Sequence, residues 1–140
     1  MGTVFVDTGA LVALLDRSDE WHKWAVGVFK SLRPPLFTCE AVFAEAWHLL
    51  GESGPSRAAL AKLHKTGILR VTFEFEPAAA GIWRLLEKYA DTPMDFADAC
   101  VVSLSEREPK CRVWTTDSDF LVYRRNGRQT IPLIAPFSDV

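Results

Sequence analysis

Short apolar runs alternate with longer amphipathic segments along this chain, and the alternation predicts strands that are followed by helices. Runs of β-branched and aromatic residues predict buried strands at residues 3–6, 35–38 and 111–115. Residues 68–75 alternate in part and predict a further strand, and Pro132 favours an edge strand at residues 129–134. Apolar positions at helical spacing predict helices at residues 10–15, 18–32, 39–50, 56–65, 77–89 and 94–107.

Strands that alternate with helices are typical of an α/β domain whose mostly parallel sheet is covered on both faces. A length of 140 residues and a hydrophobic share of 49% suit one domain with a sizeable core, so we expect a single domain at residues 1–140. The net charge of -2 offers no broad attraction for nucleic acid. Binding of nucleic acid would therefore need a local basic patch or a metal ion.

Three cysteines, Cys39, Cys100 and Cys111, are widely spaced and lie in apolar sequence. Their odd number and spacing favour reduced thiols in a core over disulfides or a zinc site, and reduced thiols are typical of the cytoplasm. The N-terminus has no basic leader, and the apolar run at residues 9–15 is too short to span a membrane. We therefore expect a cytoplasmic protein without a membrane partner.

Acidic residues stand at the ends of predicted strands and at the start of a predicted helix. Asp7 and Asp117 follow two of the buried strands, and parallel sheets bind ligands at such carboxyl ends. Asp95 and Asp98 lie three residues apart, so they share one face of an otherwise apolar helix. Glu45 lies about two turns into its own helix, from which it could reach the same cleft.

Five carboxylates in one cleft would repel each other and raise each other's pKa values unless cations neutralised them. Ligation by oxygen alone suits Mg²⁺ or Mn²⁺ rather than zinc. Two such ions about 4 Å apart can activate a water and stabilise the leaving oxygen when a phosphodiester is hydrolysed. The acidic set therefore favours metal-dependent hydrolysis that needs no serine, cysteine or histidine nucleophile.

Structural roles are alternatives for several of these acids when each is considered alone. Asp7 and Asp95 could cap the helices that follow them, as Thr38 could cap the helix at residues 39–50. Asp117 could be a turn residue. Glu40 is a second acid in the helix of Glu45, but it lies in the first turn, where a helix N-terminus stabilises a carboxylate.

Four segments together resemble PIN-domain ribonucleases, and most of all the VapC-like toxins of toxin–antitoxin pairs. They are Val4-Phe5-Val6-Asp7-Thr8, Glu45 in its helix after Thr38, Pro93-Met94-Asp95-Phe96-Ala97-Asp98-Ala99, and Thr115-Thr116-Asp117-Ser118-Asp119-Phe120. The resemblance implies a PIN-like three-layer α/β/α fold and an endoribonuclease that requires Mg²⁺ or Mn²⁺. It also implies an RNA substrate, a small antitoxin protein as partner, and a homodimer.

The resemblance assigns roles to individual residues. The acidic quartet of the family is matched by Asp7, Glu45, Asp98 and Asp117. The three aspartates would bind the metal directly, and Glu45 would bind or orient it through water. Asp95 would assist a second ion or the attacking water. Accessory acids and supporting hydroxyl groups are matched by Asp95, Asp119, Thr8 and Thr115. Surface solvation is the simplest explanation for three basic residues that follow the acidic loop, and a contact with the RNA backbone explains them almost as well: Arg124, Arg125 and Arg128.

Two other classes of protein remain as alternatives. A receiver-like phospho-acceptor module also carries acids at strand ends, but it needs two adjacent acids after the first strand and a late lysine. Here Asp7 is followed by Thr8-Gly9, and the late basic residues are arginines. The second alternative is a PIN-like scaffold that binds a partner without catalysis, which the intact acidic set disfavours.

Overall fold

A five-stranded parallel sheet forms the centre of the protein in the computed structural model, which describes residues 2–137. The strands in chain order are β1 (Thr3–Val6), β2 (Leu36–Thr38), β3 (Leu69–Val71), β4 (Cys111–Trp114), β5 (Arg124–Arg125), β6 (Gln129–Thr130) and β7 (Leu133–Ile134). The sheet order is β3-β2-β1-β4-β7, and every neighbouring pair is parallel. The predicted α/β class is confirmed.

Six α-helices flank this sheet within the described residues 2–137. They are α1 (Thr8–Leu15), α2 (His22–Ser31), α3 (Glu40–Leu49), α4 (Gly54–Lys65), α5 (Phe75–Lys88) and α6 (Phe96–Arg107). Helix α1 packs against α2, α3 and α4, whereas α5 packs against α6, which also contacts β1 and β4. This layered arrangement agrees with the expected PIN-like fold.

Strands β1 and β4 form the middle of the sheet and determine where the later loops meet. Their register pairs Val6 with Trp114, both of which are completely buried. The Asp7 amide then donates to the Trp114 carbonyl at 2.9 Å, so the strand pairing continues to the first acid. The residues that follow β1 and β4 therefore lie side by side at the carboxyl edge of the sheet.

Helix α6 is buried along most of its length, and every residue from 97 to 105 is shielded from solvent. Its small and β-branched residues allow close packing against the central strands. Asp98 lies within this buried run. A carboxylate in such a place loses its hydration, which is costly unless hydrogen bonds or a cation compensate.

Several predicted boundaries differ from the structure for identifiable reasons. Helix α3 begins at Glu40 with Cys39 as its N-cap, because the Thr38 hydroxyl instead donates to the Val6 carbonyl at 2.7 Å. Helix α5 begins at Phe75 and shortens the strand predicted at residues 68–75, since Pro77 is tolerated within a first turn. These changes leave the order of the elements as predicted.

The last predicted strand, at residues 129–134, is divided in two by Pro132. Strand β6 pairs with β5 in an antiparallel hairpin, whose turn contains Asn126 (φ 51) and Gly127 (φ 85). Strand β7 instead joins the edge of the main sheet, and the Pro132 carbonyl accepts from the Val113 amide at 2.8 Å. Proline has no N–H for a sheet, so a single continuous strand is interrupted there.

All three cysteines are buried, as expected for thiols in a core, and each is a free thiol in the structure. Within residues 2–137, no helix is long and apolar enough to cross a membrane.

Candidate metal centre

Three carboxylates converge at the carboxyl edge of the sheet. Asp7 follows β1, Asp117 follows β4, and Asp98 lies in the first turn of α6. One oxygen atom from each can be chosen so that all three lie within 4.8 Å of one another. The strand order reverses between β1 and β4, and such a switch point is where parallel sheets place their ligands.

The Thr115 hydroxyl connects two of these acids. It donates to Asp7 Oδ2 at 2.7 Å and accepts from the Asp117 amide at 2.9 Å. Thr115 is completely buried, so this hydroxyl has no competing water. Asp117 Oδ1 also accepts from the Asp119 amide at 2.9 Å, at the start of a short 3₁₀ helix, Ser118–Leu121. Thr115 thus holds the two strand ends together from within, and Asp119 acts here through its backbone.

A capping box closes the start of α6. Asp95 Oδ1 accepts from the Asp98 amide at 2.8 Å, and Asp98 Oδ2 accepts from the Asp95 amide at 3.1 Å. Asp95 is exposed, whereas Asp98 is only 7% exposed. The structural role weighed for Asp95 is therefore present, while Asp98 both caps its helix and faces the other two acids.

Glu45 lies outside the group of three, at the edge of the same cleft. Its carboxyl is partly buried beside Asp95 and Asp117, and these neighbours and burial raise its pKa, with burial contributing most. The Thr8 hydroxyl approaches Glu45 and opposes that rise, but it is buried without a hydrogen bond of good geometry. Glu40 is exposed in the first turn of α3, where a helix N-terminus stabilises its charge.

The metal-free centre cannot easily hold all of its charges. Burial raises the pKa of Asp7 to about 7, although the Thr115 hydrogen bond acts in the opposite direction. Burial, followed by repulsion from Asp7, raises the pKa of Asp98 to about 8. Burial also raises the pKa of Asp117. Near neutral pH the site therefore needs either protons or a cation to balance its carboxylates.

The donor set fits a hard divalent cation. Its members offer carboxylate oxygens only, and the buried Thr8 hydroxyl beside them lacks a well-formed partner. Oxygen ligation of this kind suits Mg²⁺ and Mn²⁺ better than it suits zinc or copper. Among the described residues, no other group of three acids, histidines or cysteines is close enough to hold a metal ion.

The basic residues after the acidic loop occupy different environments, and the prediction of an RNA contact needs correction for Arg125. Its guanidinium is buried and donates to the Ser105 and Pro109 carbonyls at 2.9 and 3.1 Å. Arg124 is half-buried, and its Nη1 donates to carbonyls at the end of the 3₁₀ helix. Arg128 is exposed on the hairpin. Arg125 thus stabilises the fold, and Arg128 remains accessible to a ligand.

Sequence reasoning missed Tyr123. Its hydroxyl lies 3.3 Å from Asp98 Oδ2, and its ring is completely buried. The spacing of Phe120 and Tyr123 places both rings on one side of a helical turn directly after the acidic loop. That spacing was the available signal, although it does not by itself reveal a contact with α6.

Comparison with known proteins gives three results. No curated protein sequence matches the chain. Seven chains of solved structures match it, among them Mycobacterium tuberculosis VapC20, which is described as a sarcin-ricin loop cleaving toxin. That match has a TM-score of 0.75 and 23% sequence identity, and it covers 84% of this chain and 92% of the other. The likeness at this identity concerns the fold. The sequence model of the PIN domain matches residues 4–126, which is most of the chain, and the chain therefore belongs to the PIN-domain family.

Proposed function

We propose that this protein is a metal-dependent endoribonuclease that hydrolyses phosphodiester bonds in RNA and acts as the toxin of a toxin–antitoxin pair. The observation that carries the proposal is the convergence of Asp7, Asp98 and Asp117 within 4.8 Å at the carboxyl edge of the sheet. Membership of the PIN-domain family and the likeness to VapC20, a toxin described as cleaving the sarcin-ricin loop, support it.

The three aspartates would hold Mg²⁺ or Mn²⁺. When bound, such an ion supplies Lewis acidity at the scissile phosphate and charge to offset the phosphate and the carboxylates. Asp7 and Asp98 must release their protons to bind it, and Thr115 keeps Asp7 directed towards Asp117. These residues therefore provide a fixed negative centre whose geometry exists before the substrate arrives.

Glu45 and Asp95 would act on the water that attacks the phosphate. Both lie beside the three aspartates, and the raised pKa of the Glu45 carboxyl makes it a stronger base than an exposed glutamate. Its carboxylate would orient the water and accept its proton. Asp95 is exposed at the mouth of the cleft and would assist by orienting the water or a second ion.

The substrate and the partners follow from the same proposal. Arg128 would contact a phosphate of the RNA backbone, because it is exposed on the hairpin that follows the acidic loop. A small antitoxin would inhibit the toxin, and two toxin chains would form a homodimer. We expect the protein to act in the cytoplasm, where its RNA substrate is found.

The two alternative classes are less well supported. A receiver-like module has the strand order 2-1-3-4-5, whereas the main sheet here starts with the order β3-β2-β1-β4. A scaffold without catalysis would have no need to keep three carboxylates buried together at a cost in stability.

Cleavage of RNA by the purified protein tests the enzymatic part. We expect cleavage of total RNA with Mg²⁺ or Mn²⁺, and loss of cleavage with EDTA or in Asp7→Asn. Asp91→Asn, which neutralises an exposed acid before α6, is the matched control and should cleave at the wild-type rate. If the wild type cleaves with neither ion, or if Asp7→Asn cleaves as fast as the wild type, the proposal is wrong.

Two further assays test the substrate and the toxin role. Oligonucleotides with the sarcin-ricin loop and transfer RNAs, incubated in parallel, would show which RNA is cut. Expression of the wild type should arrest bacterial growth, and expression of Asp7→Asn should not. A small protein encoded beside the gene should restore growth if it is the antitoxin.

A further inference from the structure

Tyr123 directs its hydroxyl into the metal centre from a completely buried position. The hydroxyl has one proton, which it shares between two acceptors: the Pro93 carbonyl, which is the nearer, and Asp98 Oδ2 at 3.3 Å. A tyrosine hydroxyl carries its proton at neutral pH, so it can donate to a carboxylate oxygen. This residue belongs to none of the acidic segments through which the proposed site was identified.

The ring of Tyr123 is held firmly on both sides. It packs edge-on against Tyr89 at 5.2 Å and against Phe120 at 5.1 Å between ring centroids. The Tyr123 amide donates to the Asp119 carbonyl at 3.2 Å, which joins the residue to the segment that follows Asp117. A hydroxyl on so constrained a ring has little freedom to move away from Asp98.

Asp98 Oδ2 receives two donors, and they come from different elements. The Asp95 amide approaches from the start of α6, and the Tyr123 hydroxyl approaches from the end of the 3₁₀ helix. These two contacts, the second through a proton shared with the Pro93 carbonyl, restrict the rotation of the carboxylate about its last bond. Partners that fix a metal-binding carboxylate in this way often affect metal affinity as strongly as some ligands do.

We propose that Tyr123 is a positioning residue whose hydroxyl holds the Asp98 carboxylate in the orientation that binds the divalent ion. The inference rests on the proposed metal-dependent function. The same hydroxyl fastens the Pro93 carbonyl, so it joins the loop before α6 to the loop after β4. Asp98 and Asp117 would thereby keep a constant separation.

Tyr123→Phe removes the hydroxyl and keeps the packed ring. Tyr89→Phe is a closely matched control, since Tyr89 is 7% exposed and its ring contacts Tyr123. The Tyr89 hydroxyl accepts from the Arg124 amide at 2.8 Å, so its loss also removes a buried hydrogen bond. A purely structural effect should therefore be similar in the two variants.

We expect Tyr123→Phe to bind Mn²⁺ about 10-fold or more weakly than the wild type in isothermal titration calorimetry, and Tyr89→Phe to bind it normally. RNA cleavage by Tyr123→Phe should fall at low Mn²⁺ and recover in part at high Mn²⁺. Thermal unfolding in EDTA should give similar midpoints for the two variants.

Three outcomes would overturn the inference: Mn²⁺ binding by Tyr123→Phe within about twofold of the wild type, an equal loss of binding in Tyr89→Phe, or unfolding of Tyr123→Phe alone at 25 °C. Failure of the proposed function is distinct, because the wild type itself would then neither bind Mn²⁺ nor cleave RNA. The variants are therefore compared only after the wild type has been shown to bind Mn²⁺ and to cleave RNA.

Discussion

Replacing Asp98 by asparagine should make the metal-free protein more stable at pH 8 while it removes metal binding. The carboxyl is buried beside Asp7, and the folded protein retains its proton at pH values where the unfolded chain has released it. Because the folded state then binds more protons, the free energy of unfolding falls as the pH rises. The free energy of unfolding falls over the pH range between the ordinary pKa of 3.8 and the folded-state pKa of about 8.

The magnitude follows from the difference between the two pKa values. A difference of about 4 pH units corresponds to roughly 6 kcal/mol, at about 1.36 kcal/mol per unit. Part of this cost is repulsion that Asp98 shares with Asp7, so the whole amount is not recovered by changing one residue. Asparagine carries no charge and still offers an oxygen to the Asp95 amide. We therefore expect Asp98→Asn to be more stable by at least about 2 kcal/mol at pH 8, with a smaller gain at pH 5.

Urea unfolding in EDTA at pH 5 and pH 8 measures this effect. The wild type should lose stability between the two pH values, and Asp98→Asn should lose less. Asp91→Asn, in the exposed loop before α6, should follow the wild type. Equal stability of Asp98→Asn and the wild type at pH 8, or a wild-type stability that does not change with pH, would refute the reasoning.

Four further predictions concern the remaining residues and the ion. Glu45→Gln should slow RNA cleavage about 10- to 100-fold and leave tight Mn²⁺ binding intact in calorimetry, because Glu45 lies outside the group of three aspartates. Asp95→Ala should destabilise the metal-free protein by about 1 kcal/mol in urea unfolding, and Asp95→Ser should restore most of that loss by capping α6. Arg125→Ala should lower the free energy of unfolding by about 2 kcal/mol or more in urea unfolding. Arg128→Ala should leave that free energy unchanged, and its RNA binding should weaken with salt along a slope that corresponds to about one fewer phosphate contact. Mg²⁺ should raise the melting temperature more at pH 8 than at pH 6, since the buried aspartates release protons to bind it; an equal rise would contradict their raised pKa values.

The sequence predicted the architecture well because the strongest patterns belong to the central elements. Strand β1 and helix α6 are buried on nearly all sides, so their apolar runs are long and carry few polar interruptions. Those interruptions, Asp7 and Asp98, could then be recognised as unusual. The prediction was less accurate at residues 68–75, where a partly alternating pattern continued past the end of β3 into the first turn of α5.

Long-range contacts account for what the sequence did not reveal. Arg125 and Arg128 differ by three positions in an exposed-looking basic segment, yet only Arg125 inserts between the end of α6 and β4. The Thr38 hydroxyl bonds across the sheet to Val6, although its local sequence favours a helix cap. Tyr123 reaches Asp98 from 25 residues away. Local periodicity contains no information about such partners.

The hydrogen bond between Thr115 and Asp7 joins residues that are 108 positions apart in the chain. During synthesis the N-terminal part emerges first, so Asp7 is made well before Thr115 and Asp117. The cleft cannot close until β4 has inserted beside β1, a step that brings together distant parts of the chain and is slow for that reason. Under the proposed function, the growing chain has no nuclease activity before β4 has been made and inserted. Prematurely terminated chains that lack β4 would be harmless for the same reason.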